Sequence, residues 1–227
     1  MKIEIYQIRD EEKRKAMAEK LADRPAFTAP EPVDASAYRR VFMGEVECAS
    51  PYEVLFKFNT VGHRLFRGDT MGLSDVIRME TDSGTIHFLY DSLGVSLIEF
   101  DSEKVQESDD CIRVLVVEPH MVPYESEIEN TLEGQQRAVE GLIQYLHNGD
   151  GTITVINDES KINGMEGNRR IKGDVLVGPV FIAGDIGENL CSLTDEQMAF
   201  YAERFAEPEE ISREEIEEHC QIMFFSW

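Results

Sequence analysis

The sequence predicts an α+β (mixed α/β) fold of two small domains, each a small, mostly antiparallel sheet packed with helices. Three observations predict it. Short apolar runs such as "KIEIYQI", "TIHFLYDS", "CIRVLVVEP" and "TITVIND" alternate with capped helical segments. The polar stretch "DSEKVQESDD" at residues 101–110 interrupts the apolar pattern and has the composition of a linker. Neither half carries a parallel βαβ nucleotide signature. The expected organisation is a first domain over 1–100, a linker over 101–110, a second domain over 111–206, and an acidic C-terminal helix with an apolar end over 207–227.

The first domain reads β-α-β-α-β-β-β. "KIEIYQI" alternates imperfectly and reads as a strand, and "DEEKRKAMAEKLADR" has helix-forming composition up to Pro25. "RPAFTAPEPVDAS" holds three prolines and reads as a loop, and "YRRVFMGEV" as a strand. In "SPYEVLFKFN", Ser50 can cap a helix, Pro51 suits its first position and Glu53 completes a capping box. Val54, Leu55 and Phe58 then share a face. A glycine-punctuated loop, "VGHRLFRGDTMGLSDVIRM", leads into a short strand. "TIHFLYDS" and "VSLIEF" are two more strands, with a turn at Gly94.

The second domain reads β-β-α-β-(loop)-β-α-α. "CIRVLVVEP" is a buried-strand pattern. "YESEIENTLEGQQRAVEGLIQYL" begins as a strand and becomes a helix. Asn130 and Glu133 form its capping box, and Leu132, Val139, Leu142, Ile143 and Leu146 its apolar face. "HNGDG" stops that helix, "TITVIND" is the next strand, and "VLVGPVFIAGD" is a third apolar strand. "LTDEQMAFYAERF" is a helix capped by Thr194 with Gln197 at the box position. "SREEIEEHCQIMFF" starts a last helix at Ser212, with Glu215 opposite. Between two apolar strands lies "INGMEGNRRIKG", whose Arg169, Arg170 and Lys172 are the densest basic cluster of the C-terminal half. Asn163-Gly164 is the strongest hairpin signal in the chain. Asn168 and Arg169 are expected to reach backbone carbonyls or nearby carboxylates.

Charge narrows the function. The formal net charge is −23, and residues 101–227 hold 9 basic and 28 acidic side chains, a net of −19. Such a surface repels nucleic acid, whose binding needs cations, and attracts a protein with a basic groove. No run of about 18 apolar residues exists, so no membrane partner is expected. The N-terminal stretch lacks the apolar core of a secretory signal, which places the protein in the cytoplasm. Cys48, Cys111, Cys191 and Cys220 are scattered without a C-x-x-C pair and read as small apolar residues in a reducing compartment.

Known catalytic constellations are missing from the sequence. It has no phosphate-cradling G-x-x-x-x-G-K-[ST] loop, no G-x-S-x-G elbow and no H-E-x-x-H, and none of the five histidines stands three or four positions from another. No catalytic residue, metal or cofactor is assigned. Glu125, Glu127 and Glu129 alternate and read as a solvated strand face. Glu210, Glu214, Glu217 and Glu218 fall on one side at helical spacing and form the candidate acidic interaction surface. The closing Met223, Phe224, Phe225 and Trp227 are expected to dock onto the body of the protein.

Two stretches carry resemblances. The first domain resembles the YodL-like family through Tyr6 and Gln7, the run from Phe56 to Asn59, Gly68 followed by Ser74, Asp75 and Val76, and Asp91, Ser92 and Gly94. It departs from that family's pattern after Gly68, where Asp69, Thr70, Met71 and Gly72 replace a histidine and a Ser-Leu-Ser. The second domain resembles the domain-of-unknown-function family 3846 through "RVLVVEP", "LEGQQRAV", "INGMEGNRR" and "SLTDEQMAFYAERF". That family's N-G-x-x-x-N-R turn is present as Asn163, Gly164, Asn168 and Arg169. The resemblances imply a protein of conjugative elements and phages of gut Firmicutes, with no assigned reaction.

The expectation is a non-enzymatic accessory protein of a mobile genetic element that acts through a protein partner. One alternative is an acidic DNA mimic that inhibits a basic DNA-binding restriction enzyme. A second alternative is an enzyme with a site near Asn163, Gly164, Asn168 and Arg169, or near Ser74 and Asp75.

Overall fold

The computed structural model describes residues 1–25, 32–106, 108, 110–171, 173–187 and 189–224, the last four by their backbone alone. Part of the proline-rich loop, Lys172, and the docking expected of Met223, Phe224, Phe225 and Trp227 lie outside what is described. The fold is mixed α/β. The chain divides into two compact units, Met1–Asp109 and Asp110–Trp227, each with an antiparallel sheet packed against helices. Among the described residues no helix is long and apolar enough to cross a membrane.

Unit 1 contains β1 (Lys2–Ile8), α1 (Glu11–Ala22), β2 (Tyr38–Glu45), α2 (Pro51–Thr60), β3 (Val76–Thr81), β4 (Gly84–Asp91) and β5 (Gly94–Ile98). Its sheet order is β2-β1-β3-β4-β5, so β1 is interior and buried along most of its length. Met17 and Leu21 of α1 pack with Tyr6, Ile8, Tyr38, Val76, Leu89 and Phe100. Phe58 of α2 meets Phe42 of β2 edge-on at 4.8 Å, a geometry worth about 1 kcal/mol beyond area burial. Ser50 caps α2 by accepting from Glu53 N at 3.3 Å. The expected box closes one residue early, because Glu53 Oε2 accepts from Ala49 N at 2.9 Å.

Unit 2 contains β6 (Cys111–Val117), β7 (Tyr124–Glu129), α3 (Leu132–Val139), β8 (Ile143–His147), β9 (Thr152–Asn157), β10 (Gly167–Ile171), β11 (Asp174–Val177), β12 (Val180–Asp185), β13 (Leu190–Cys191), α4 (Asp195–Arg204) and α5 (Arg213–Phe224). The main sheet runs β7-β6-β12-β9-β8 with β13 on β12, and β10-β11 form a separate ribbon. Leu115, Val117, Ile182, Met198, Tyr201 and Phe205 belong to its core. Thr194 and Gln197 close a full capping box at the start of α4.

Three sequence expectations need correction. The long helix ending at Leu146 is a short helix and a strand. Thr131, not Asn130, caps α3 by accepting from Gly134 N at 3.0 Å. The helix stops where Glu140 adopts a left-handed conformation at φ 60°. Asn157 reinforces the stop by donating to Val139 O and Glu140 O at 3.2 and 3.0 Å. Ile143–His147 then pairs with β9, so "HNGDG" is a hairpin turn rather than a helix stop. Leu132 and Leu142, assigned to the apolar face, are exposed.

Second, "VLVGPVFIAGD" is two strands, broken where Gly178 takes φ 73° and Pro179 has no N–H to continue a ladder. Third, Asn163-Gly164 is not a two-residue hairpin. Asn163 N bonds Glu159 O at 2.8 Å and Met165 N bonds Ser160 O at 3.1 Å, a helix-like turn that Gly164 ends at φ 72°. Asn168 and Arg169 lie beyond it, on β10.

Candidate functional site

Three places hold the residues singled out by sequence. The first is the loop that leads from α2 into β3. Two carboxamides fasten it. Gln7 on β1 donates to Asp69 O and accepts from Asp69 N, both at 2.9 Å. Asn59 on α2 does the same for Met71, at 2.9 and 2.8 Å. A Cβ at Gly68 would lie 2.5 Å from Gln7 Oε1, so a larger residue there has to displace the clamping carboxamide. Asp75 follows, fully buried. It accepts from Gln7 Nε2 and Gly72 N, each at 2.9 Å, and from Arg14 Nη2 at 3.1 Å. Burial pushes its carboxyl up to about 6, against the pull of Arg14 and of the hydrogen bonds.

Ser74 sits beside it at φ 79°, a conformation uncommon outside glycine. Its carbonyl accepts from Tyr38 Oη at 2.9 Å and its N–H bonds Tyr90 O at 3.0 Å. Its Oγ is buried with no hydrogen-bond partner. Ser74 and Asp75 are both 0% exposed. A substrate has no route to either, and the pair works as a pin that seats the loop on the sheet. No sequence spacing signals the contacts of Arg14, because its partners Asp69 and Asp75 are 55 and 61 residues away in the chain.

The second place is β10. Asn168 Nδ2 donates to Val117 O at 2.9 Å and to Gly178 O at 2.7 Å. This joins β6 to the β11–β12 break. Arg169 is 0% exposed and uses its guanidinium on main-chain carbonyls: Phe205 O at 3.1 and 3.0 Å, Met121 O at 2.7 Å and Asn168 O at 2.9 Å. Phe205 is the C-cap of α4, so the cation meets the negative end of a helix dipole. Burial lowers the arginine's pKa and Glu209 opposes this at a distance. Of the two partner types expected, carbonyls hold Arg169 and carboxylates do not. Asn163 and Gly164 sit on the preceding turn and do not join this cluster.

The third place is the acidic surface. Arg170, next to the buried arginine, is the one that takes acids. It pairs with Glu209 at 2.6 Å and Glu215 at 2.7 Å. Glu210, Glu214, Glu217 and Glu218 are all exposed. The helical spacing expected of the four is corrected at Glu210, because α5 begins at Arg213 and Glu210 lies on the extended segment before it. Ser212 caps α5 by accepting from Glu215 N at 3.2 Å. Glu125, Glu127 and Glu129 share the half-buried face of β7, where Arg113 pairs with Glu125 and Arg137 with Glu129.

Among the described residues no group of three or more His, Cys, Asp or Glu side chains is placed to hold a metal ion. All four cysteines are free thiols.

Comparison with known proteins agrees with the two resemblances. Residues 2–100 match the YodL-like domain, and residues 112–206 match a domain of unknown function (DUF3846). No curated protein and no solved structure matches the chain. The buried motif residues of the two units thus lie within stretches that match these two domain models, a pairing consistent with proteins of mobile genetic elements.

Proposed function

We propose that the chain is a non-enzymatic accessory protein of a mobile genetic element, working in the cytoplasm by binding another protein through the acidic face of unit 2. One observation carries this reading: among the described residues, the cations of the unit are used internally. Arg113, Lys161, Arg170 and Arg213 each sit in an ion pair with a specific acid, as does Arg137. Arg169 is buried and Arg204 lies over the Tyr201 and Phe205 rings. With 28 acids against 9 bases in residues 101–227, the outward field is negative and suits a basic partner surface.

The DNA-mimic reading uses the same surface and a basic DNA-binding enzyme as partner. Its arithmetic is less favourable. The 12-residue α5 is about 18 Å long, over which duplex DNA presents about ten charges. The exposed carboxylates of the candidate surface on that helix are Glu214, Glu217 and Glu218. An enzyme centred on Asn168 and Arg169 is disfavoured by their burial and by the commitment of their donors to main-chain carbonyls.

The test is affinity capture from a host carrying the element, with the wild type and a Glu210→Gln/Glu214→Gln/Glu217→Gln/Glu218→Gln variant. A specific protein lost with the variant supports the proposal. Release of that protein by duplex DNA supports mimicry instead. Equal recovery with both baits counts against both readings.

A further inference from the structure

We propose that unit 1 carries a binding site for a small phosphate ester of two or more negative charges, such as a nucleoside diphosphate. The site is a groove of about 640 Å³ between α1, the ends of β1 and β2 and the 69–73 loop. Arg9, Arg14, Lys15 and Arg39 line it, against the two acids Glu11 and Asp69. Four of the chain's 22 lysines and arginines converge here, in a protein with 45 acidic residues.

The four cations differ in what holds them. Arg14 is fixed by Asp69 at 3.0 Å and Asp75 at 3.1 Å, which sets one wall of the groove. Lys15 pairs with Glu11 across one helical turn with both side chains exposed, a weak contact that a ligand displaces readily. Arg9 reaches only a carbonyl, Ser36 O at 3.2 Å. Arg39 Nε is buried and has no hydrogen-bond partner. Native proteins rarely leave a buried donor unmatched, and a ligand that draws the Arg39 guanidinium toward the groove gives it an acceptor. A guanidinium fork matches the oxygens of a phosphoryl group.

Among the described residues, Arg14 and Lys15 are paired with acids while Arg9 and Arg39 are not, which leaves two guanidinium groups for a ligand with about two negative charges rather than a lone carboxylate. The groove volume exceeds what inorganic phosphate fills. A long nucleic acid is disfavoured, because residues 1–100 still carry 17 acidic against 13 basic side chains. The site is on unit 1 and does not depend on the acidic face of unit 2.

The experiment is calorimetric titration of the full chain with ADP, pyrophosphate and inorganic phosphate at matched ionic strength. Saturable 1:1 binding of ADP is expected, weakened about tenfold or more by Arg39→Gln and by Arg9→Gln, and less by Arg39→Lys. Arg9 is exposed, so Arg9→Gln keeps the test valid if the Arg39 variants fold poorly. Absence of saturable ADP binding at millimolar concentration overturns the proposal. So does binding that Arg9→Gln leaves unchanged, or an equal affinity for inorganic phosphate.

Discussion

Replacing Arg169 with methionine removes a guanidinium that serves three carbonyls, Phe205 O, Met121 O and Asn168 O. A buried acceptor left unmatched costs about 1–3 kcal/mol, so the gross loss is about 3–9 kcal/mol. Two effects reduce it. The wild-type cation is itself desolvated without a paired carboxylate, and methionine relieves that cost. Methionine also fills most of the vacated volume, so the cavity contribution is small. The net expectation is about 3 kcal/mol, within the range for breaking a buried polar network. For a unit of this size that corresponds to about 10 °C in Tm. Arg169→Lys is expected to recover little, because an ammonium lacks the fork that bridges Phe205 O and Met121 O. Differential scanning calorimetry reads the result. A Tm within about 2 °C of wild type for Arg169→Met would refute the claim that this residue clasps α4 to β10.

Other outcomes follow from the same contacts. Asp75 carries a folded pKa of about 6 against an ordinary 3.8. Its contribution to stability is therefore fully present below pH 3.8 and is lost as pH rises to about 6. Asp75→Asn should gain stability relative to wild type across that window, and a pH-independent difference in urea melts contradicts the assignment. Gln7→Ala and Asn59→Ala each free two backbone groups of the loop, at about 1–3 kcal/mol, and should speed hydrogen exchange at Asp69 and Met71 respectively. Unchanged protection at both amides removes the clamp. Glu140→Gly relieves a left-handed residue at φ 60° and should raise the melting temperature of unit 2 by a few degrees. A fall in melting temperature would show that the Glu140 side chain contributes more than its backbone costs.

What was legible in the sequence was local. Ser50, Thr194 and Ser212 cap the helices they were expected to start, because a cap needs only residues three positions apart. The strand runs of unit 1 fall where their apolar patterns place them. The long helix over Leu132–Leu146 failed for a tertiary reason. Its stop depends on Asn157 reaching back 17 residues to Glu140 O, and on β9 being available to pair with Ile143–His147. The Asn-Gly turn was misread because dipeptide chemistry fixes a left-handed glycine but not which segments it joins. At β10, the Phe205 and Met121 partners of Arg169 lie 36 and 48 residues away, and no spacing rule identifies carbonyls as acceptors. The Arg9–Arg39 groove leaves no motif, since its walls come from three separate stretches of the chain, residues 8–18, Arg39 and residues 69–73.

The central claim is that exposed carboxylates of unit 2 bind a protein partner. The most direct measurement is the binding isotherm of the captured partner to wild type and to the Glu210→Gln/Glu214→Gln/Glu217→Gln/Glu218→Gln variant, at low and at physiological salt. Affinity should fall at least about tenfold in the variant and with added salt, while Tm moves by no more than about 2 °C. Equal affinity for the two proteins at both salt concentrations would contradict the account.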